Sequence, residues 1–167
     1  MPDVSTEVAI ATTTLGSAGT ITFSSIPATY TDLRIVLVSK SVSNGANVQF
    51  RFNGDTGNNY SFTYLRGDGT SASSYRESNI PYGYFSDQSS STYPNMGTLD
   101  IFSYTGSTFK TALATYSDDR NGSGYVFSAV NLWRSTSAIT SVSLSPSNFS
   151  NNFQSGTTAT LYGILKA

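Results

Sequence analysis

The sequence predicts an all-β protein: an antiparallel β-sandwich, jelly-roll-like, in one domain over residues 1–167. Three observations predict it. Apolar residues alternate with a period of two in segment after segment, and no window carries the 3.6-residue period of a helix. Thr, Tyr, Phe and Val, which suit a pleated half-buried surface, dominate those segments. Short clusters of Gly, Asn, Asp and Pro separate them, at the spacing of a sandwich or barrel.

The segments follow in order. The start, "MPDVSTEVAIATTT", is strand-like, with no basic region or long apolar run to mark a signal peptide or membrane anchor. In "GTITFSS", Ile21 and Phe23 share a face. "TDLRIVLVSK" sets Leu33, Ile35 and Leu37 against Arg34, Val36 and Val38, with both faces apolar enough for a largely buried strand. "NVQFRF" places Val48, Phe50 and Phe52 inward and Gln49 and Arg51 outward. "YSFTYL" aligns Tyr60, Phe62 and Tyr64. "TLDIFSY" sets Leu99, Ile101 and Ser103 against Phe102 and Tyr104. "FKTALATY" and "YVFSAVNLW" come next, then "SVSLS" with Val142 and Leu144, and the chain closes on "TATLYGILK", with Leu161, Gly163 and Leu165 opposite Tyr162 and Ile164. The expected core is Leu33, Ile35, Leu37, Val48, Phe50, Phe52, Leu99, Ile101, Val142, Leu144 and Leu161, with Trp133 at a strand end in or near it. Turn signals stand at Asn44-Gly45, Gly54-Asp55, Gly67-Asp68-Gly69, Asn121-Gly122 and Ser145-Pro146.

One stretch resists this reading. Residues 71–96, "SASSYRESNIPYGYFSDQSSSTYPNM", read as a long irregular excursion containing a strand around Tyr82-Gly83-Tyr84-Phe85. It holds Tyr75, Tyr82, Tyr84 and Tyr93 among serines and beside Pro81 and Pro94. Exposed tyrosines in polar loops suit a protein interface or the face of a sugar, because the ring is broad and apolar with one polar end. The plainer reading is a lid over an open end of the sandwich. These four tyrosines are the candidate interface.

Composition removes several functions. Charged residues are only 11% and net charge is −1, so electrostatic attraction to nucleic acid or to an anionic membrane has little to act on. Aromatics at 13% speak for a folded chain rather than a disordered one. Without cysteine or histidine there are no disulfides or thiolate metal sites, and the commonest general base and metal ligand is missing. No GxSxG elbow or phosphate-binding glycine motif occurs, and Glu7, Glu77 and the eight aspartates form no paired motif of the kind a glycosidase needs. The expectation is a protein that is not an enzyme and takes no cofactor and no metal.

Two acidic loops and one tripeptide remain. Residues 53–59, "NGDTGNN", combine glycine, amide and a single carboxylate, Asp55, too few oxygens for calcium; they read as a connection between strands. Asp118-Asp119-Arg120-Asn121-Gly122 reads as a surface hairpin rather than a catalytic pair. Arg66-Gly67-Asp68 spells an integrin-type tripeptide, a string short enough to arise by chance.

Four segments, "ITFSSIPATYTDLRIVL" (21–37), "FRFNGDTGNNYSFTYLRGDGTSASS" (50–74), "AVNLWRSTSAITSVSLSP" (129–146) and "FQSGTTATLYGILKA" (153–167), together resemble a family of small tailed-phage virion proteins of the marine and cyanobacterial phage type. Its marks are "SIPxTYTDL", "FNGDTGxNYS", a tryptophan before "aIts…L", and a terminal "ATLYGI". Residues 75–96 match least. The resemblance implies a virion structural role, a capsid decoration (cement) protein on the head exterior whose partners are the major capsid protein or other virion proteins. It implies self-association as a trimer, and no catalytic residues. The alternative is a tail-fibre or receptor-binding domain that contacts host glycans through its tyrosines; a glycan-cleaving enzyme comes third. The strand-like start at Met1 and the lack of a heptad or shaft repeat favour decoration, with residues 2–14 as a second candidate for attachment.

Overall fold

A computed structural model describes residues 7–147 and 149–165, and over them the chain is all-β, in two antiparallel sheets consistent with a β-sandwich. The strands are β1 (Glu7–Thr14), β2 (Ile21–Phe23), β3 (Asp32–Ser39), β4 (Ala46–Phe52), β5 (Tyr60–Gly67), β6 (Ala72–Ile80), β7 (Gly83–Ser89), β8 (Asn95–Phe102), β9 (Lys110–Asp119), β10 (Gly124–Trp133), β11 (Val142–Pro146) and β12 (Thr158–Ile164). The large sheet has eight strands in the order β1-β12-β3-β8-β9-β10-β5-β6, and the small sheet four, β2-β11-β4-β7. The finer jelly-roll assignment stays an expectation. Of the N-terminal segment expected to attach the protein, residues 7–14 form β1; residues 2–6, like Lys166, lie outside the described residues.

The core lies between the sheets, and every aliphatic and aromatic residue expected there is buried. Phe50, Phe52 and Phe85 of the small sheet face a large sheet that carries Ala112, Ala114 and Ala129 at its middle, so large rings on one layer meet small residues on the other. Trp133 closes one end of the core, with its ring 5.5 Å from Phe52 and 6.2 Å from Tyr60, centroid to centroid. Gly97 is required by close approach: a Cβ there would stand 2.5 Å from the Thr115 carbonyl oxygen.

The excursion over residues 71–96 is a correction. Its greater part is ordered strand: β6 and β7 fill it, and β8 begins at Asn95. The strand expected around Tyr82 to Phe85 exists as β7, but β6 gave no signal in "ASSYRESN" because it is an edge strand exposed on both faces. Alternation of apolar and polar residues records burial, and β6 has almost none to record. Gln49 is a second correction. It points away from the core as expected, yet it is buried, and its side chain bonds to the Tyr82 hydroxyl. The third concerns β3, whose apolar outer residues Val36 and Val38 remain exposed.

Amides fasten the layers and loops, alongside the Arg66–Asp87 ion pair between β5 and β7. Asn131, pointing inward from β10, accepts from the Tyr84 N–H at 2.7 Å and donates to the Tyr84 carbonyl at 3.0 Å, acting as a surrogate strand against the edge of β7. Asn53, in the left-handed region at φ 52°, accepts from the N–H groups of Thr140 and Ser141 at 2.8 and 3.1 Å and donates to Ala138 at 2.8 Å. Asn95 ties its own strand to Ser39 and Ser90. Neutral partners of this kind satisfy buried backbone groups without the desolvation cost of an ion pair.

Candidate functional site

The loop between β4 and β5 closes upon itself. Asp55 accepts from the Gly57 N–H at 2.7 Å, the Asn59 side-chain amide at 2.9 Å and the Trp133 indole N–H at 2.7 Å. Burial pushes the Asp55 carboxyl up, but the bonds from Trp133, Asn59 and Gly57 and the charge of Arg51 outweigh it and hold it below its ordinary pKa. Gly54 takes φ 67°, whereas Gly57 is glycine for space: a Cβ would sit 2.8 Å from the Asn59 amide nitrogen. All of Asp55's close partners are donors, so the loop clamps the core tryptophan. Sequence reading recognised the turn but could not see Trp133, which lies 78 residues away.

The other loops are equally self-contained. Asp118 pairs with Arg120 at 2.6 Å and accepts from the Tyr125 N–H at 3.1 Å, while Asp119 accepts from the Asn121 N–H at 2.7 Å. The two carboxylates engage different partners and share no site. In the Arg66-Gly67-Asp68 tripeptide, Asp68 caps the β5–β6 turn. It accepts the Thr70 hydroxyl and the N–H groups of Thr70 and Ser71 at 2.7, 2.9 and 2.7 Å, and these bonds hold its carboxyl well below the usual range. Arg66 turns to Asp87 and lies over the Tyr125 ring, which Arg120 covers as well. Both charged ends of the tripeptide are thus engaged within the chain. Among the described residues no group of three or more His, Cys, Asp or Glu side chains gathers at metal-binding distance.

The four candidate tyrosines do not form one surface. Tyr84 is a core residue at 6% exposure; its ring stacks on Phe62 at 4.4 Å, its hydroxyl donates to Asp87 at 3.2 Å, and burial drives its pKa up. Tyr82 is half-buried against the core. Only Tyr75, at 52%, and Tyr93 are exposed, on different elements. Tyr75 stands on β6 where the small sheet no longer covers the large one, with its ring 6.1 Å from Phe62 and 5.9 Å from Tyr64. Tyr84 belongs inside because its position on β7 alternates into the gap beside Asn131, a fact of pairing that residue type does not carry.

Sequence reading missed the outer face of the large sheet. There the exposed side chains of β3, β8, β9, β10 and β5 include Val36, Val38, Met96, Leu113, Val126, Val130 and Leu65. Two depressions mark it, one of about 410 Å³ among Val36, Met96, Thr98, Thr115 and Val126, the other of about 580 Å³ among Thr63, Arg76, Thr111, Val130 and Leu132. Part of the signal stands in "DLRIVLV", apolar on both faces, which reads equally as burial on both sides; "YVFSAV" carries the rest. Compared with protein families, curated proteins and solved structures, the chain finds no match in any of the three.

Proposed function

We propose that the chain is a structural protein of a tailed-phage virion, a decoration or cement protein that binds the head exterior and braces neighbouring major capsid subunits. The observation that carries this reading is the β6 edge: the strand ends the large sheet, its side chains from Ala72 to Arg76 are all exposed, and the Tyr75 ring stands on its flank. Such an edge presents N–H and C=O groups for pairing with another chain. Arg76 and Glu77, in mid-strand, select against indiscriminate pairing. The virion assignment itself is supported by the sequence marks from "SIPATYTDL" to "ATLYGI".

A contact of backbone, hydroxyl and tyrosine groups involves few charges. Binding to purified capsids is expected to change little between low and moderate salt, unlike an interface steered by charge. Tyr75→Ala is expected to lower particle occupancy while the melting temperature holds. A second reading, a receptor-binding domain for host glycans, is favoured by the exposed Tyr75 ring beside Phe62 and Tyr64, which offers a platform of sugar size. In that case Tyr75→Ala leaves occupancy intact and host adsorption falls. Full occupancy and full adsorption in the variant overturn both.

A further inference from the structure

We propose that the outer face of the eight-stranded sheet is a self-association surface, covered by the same face of a second copy of this chain. An antiparallel sheet with one face in water carries polar side chains on that face. This one does not. Val126 is 72% exposed, Leu65 66% and Met96 57%. The strand register sets the exposed residues side by side. Val38, Met96, Ser117 and Val126 form one row; Val36, Thr98, Thr115, Ser128 and Leu65 form the next; Asp100, Leu113, Val130 and Thr63 form a third. Seven large aliphatic side chains interleaved with hydroxyls over five neighbouring strands mark an interaction site, where a single exposed valine would not.

Charge and area point to a second copy. Two identical faces meet without strong repulsion only if each is close to neutral, and this face carries Arg76 at its β6 margin beyond the charges that pair within it. Arg34, at its margin, is closed by Asp100 at 2.6 Å and Glu7 at 3.5 Å. The Thr98 and Thr115 hydroxyls bond to each other at 2.8 Å, so the middle of the face demands no polar partner. Strands at about 4.8 Å spacing and about 3.3 Å per residue make the whole face from β12 to β6, its polar margins included, roughly 34 by 23 Å, or about 780 Å². A stable interface needs about 800 Å² from each side, so the face matches one copy of itself. Two twisted sheets stack about 10 Å apart, the packing already used between this chain's own sheets. The contact is isologous and closes as a two-fold pair; threefold association would use another surface.

The test is sedimentation equilibrium of the full chain across a wide concentration range, with Val126→Lys and Leu65→Lys as variants. Both side chains are exposed, so the variants should melt like the parent. The expected result is a parent of twice the monomer mass and variants at least tenfold weaker in dimerisation. Because the chain has no cysteine, Val126→Cys adds a positional readout: its maleimide labelling should slow as the dimer forms, while that of Val42→Cys should not. A parent that stays monomeric at sub-millimolar concentration overturns the proposal, as does a dimer that survives both lysines. A monomer whose cysteine at position 126 becomes protected from maleimide only on capsids also overturns it, and assigns the face to a virion protein instead.

Discussion

Replacing Asp55 with alanine tests whether the "FNGDTGNNY" loop is a structural clamp. The carboxylate serves one buried donor, the indole N–H of a tryptophan that is 3% exposed, and two donors of the loop itself. Leaving the indole N–H buried and unpartnered costs roughly 1–3 kcal/mol, and the loop donors, which water can reach, add about 0.5 kcal/mol each at most. The expected loss is therefore about 1–4 kcal/mol. Urea unfolding of Asp55→Ala, Trp133→Phe and the double variant, followed by far-UV circular dichroism, closes a double-mutant cycle in which a coupling above about 1 kcal/mol is expected. The sign with pH follows from the lowered carboxyl. Its contribution is full at neutral pH and is lost as the pH falls below the ordinary carboxylate value of about 3.9 through the lower folded one, so the parent loses stability in acid that Asp55→Ala has already lost. A cost under about 0.5 kcal/mol with no coupling would refute the clamp, and so would a parent whose melting temperature collapses in EDTA, since that would make the loop a cation site.

Asn131→Leu, which keeps the volume but leaves the Tyr84 N–H and carbonyl buried without partners, is expected to cost about 2–4 kcal/mol in denaturant unfolding. Gly97→Ala drives a methyl group against the Thr115 carbonyl and is expected to lower stability by about 3 kcal/mol or to prevent soluble expression, with β8 losing its amide exchange protection first. Tyr84→Ala and Tyr75→Ala separate core from surface: the first is expected to cost about 3–5 kcal/mol and the second under about 1 kcal/mol by calorimetry.

Alternation decided much by itself. "TDLRIVLV" and "TATLYGI" each bury one face, and "NVQFRF" does so apart from Gln49, so period two and residue type alone placed the core and the all-β class, and glycine with asparagine or aspartate placed the turns. Only the tertiary structure decided which strands neighbour which, and the functional surfaces depend on that. "ASSYRESN" is a strand because β5 pairs with it, and it buries nothing from which a pattern could arise. Tyr75 and Tyr84 are the same residue type in the same polar stretch, yet one stands on an uncovered edge and the other in the gap closed by Asn131. The outer face of β3 is apolar in sequence, but its cover depends on whether a further layer lies behind the large sheet, and the described residues form only two sheets. Local sequence encodes how a segment would like to be buried. What is there to bury it is a property of long-range pairing, and that is why the free β6 edge and the apolar outer face appeared only when the strands were set in order.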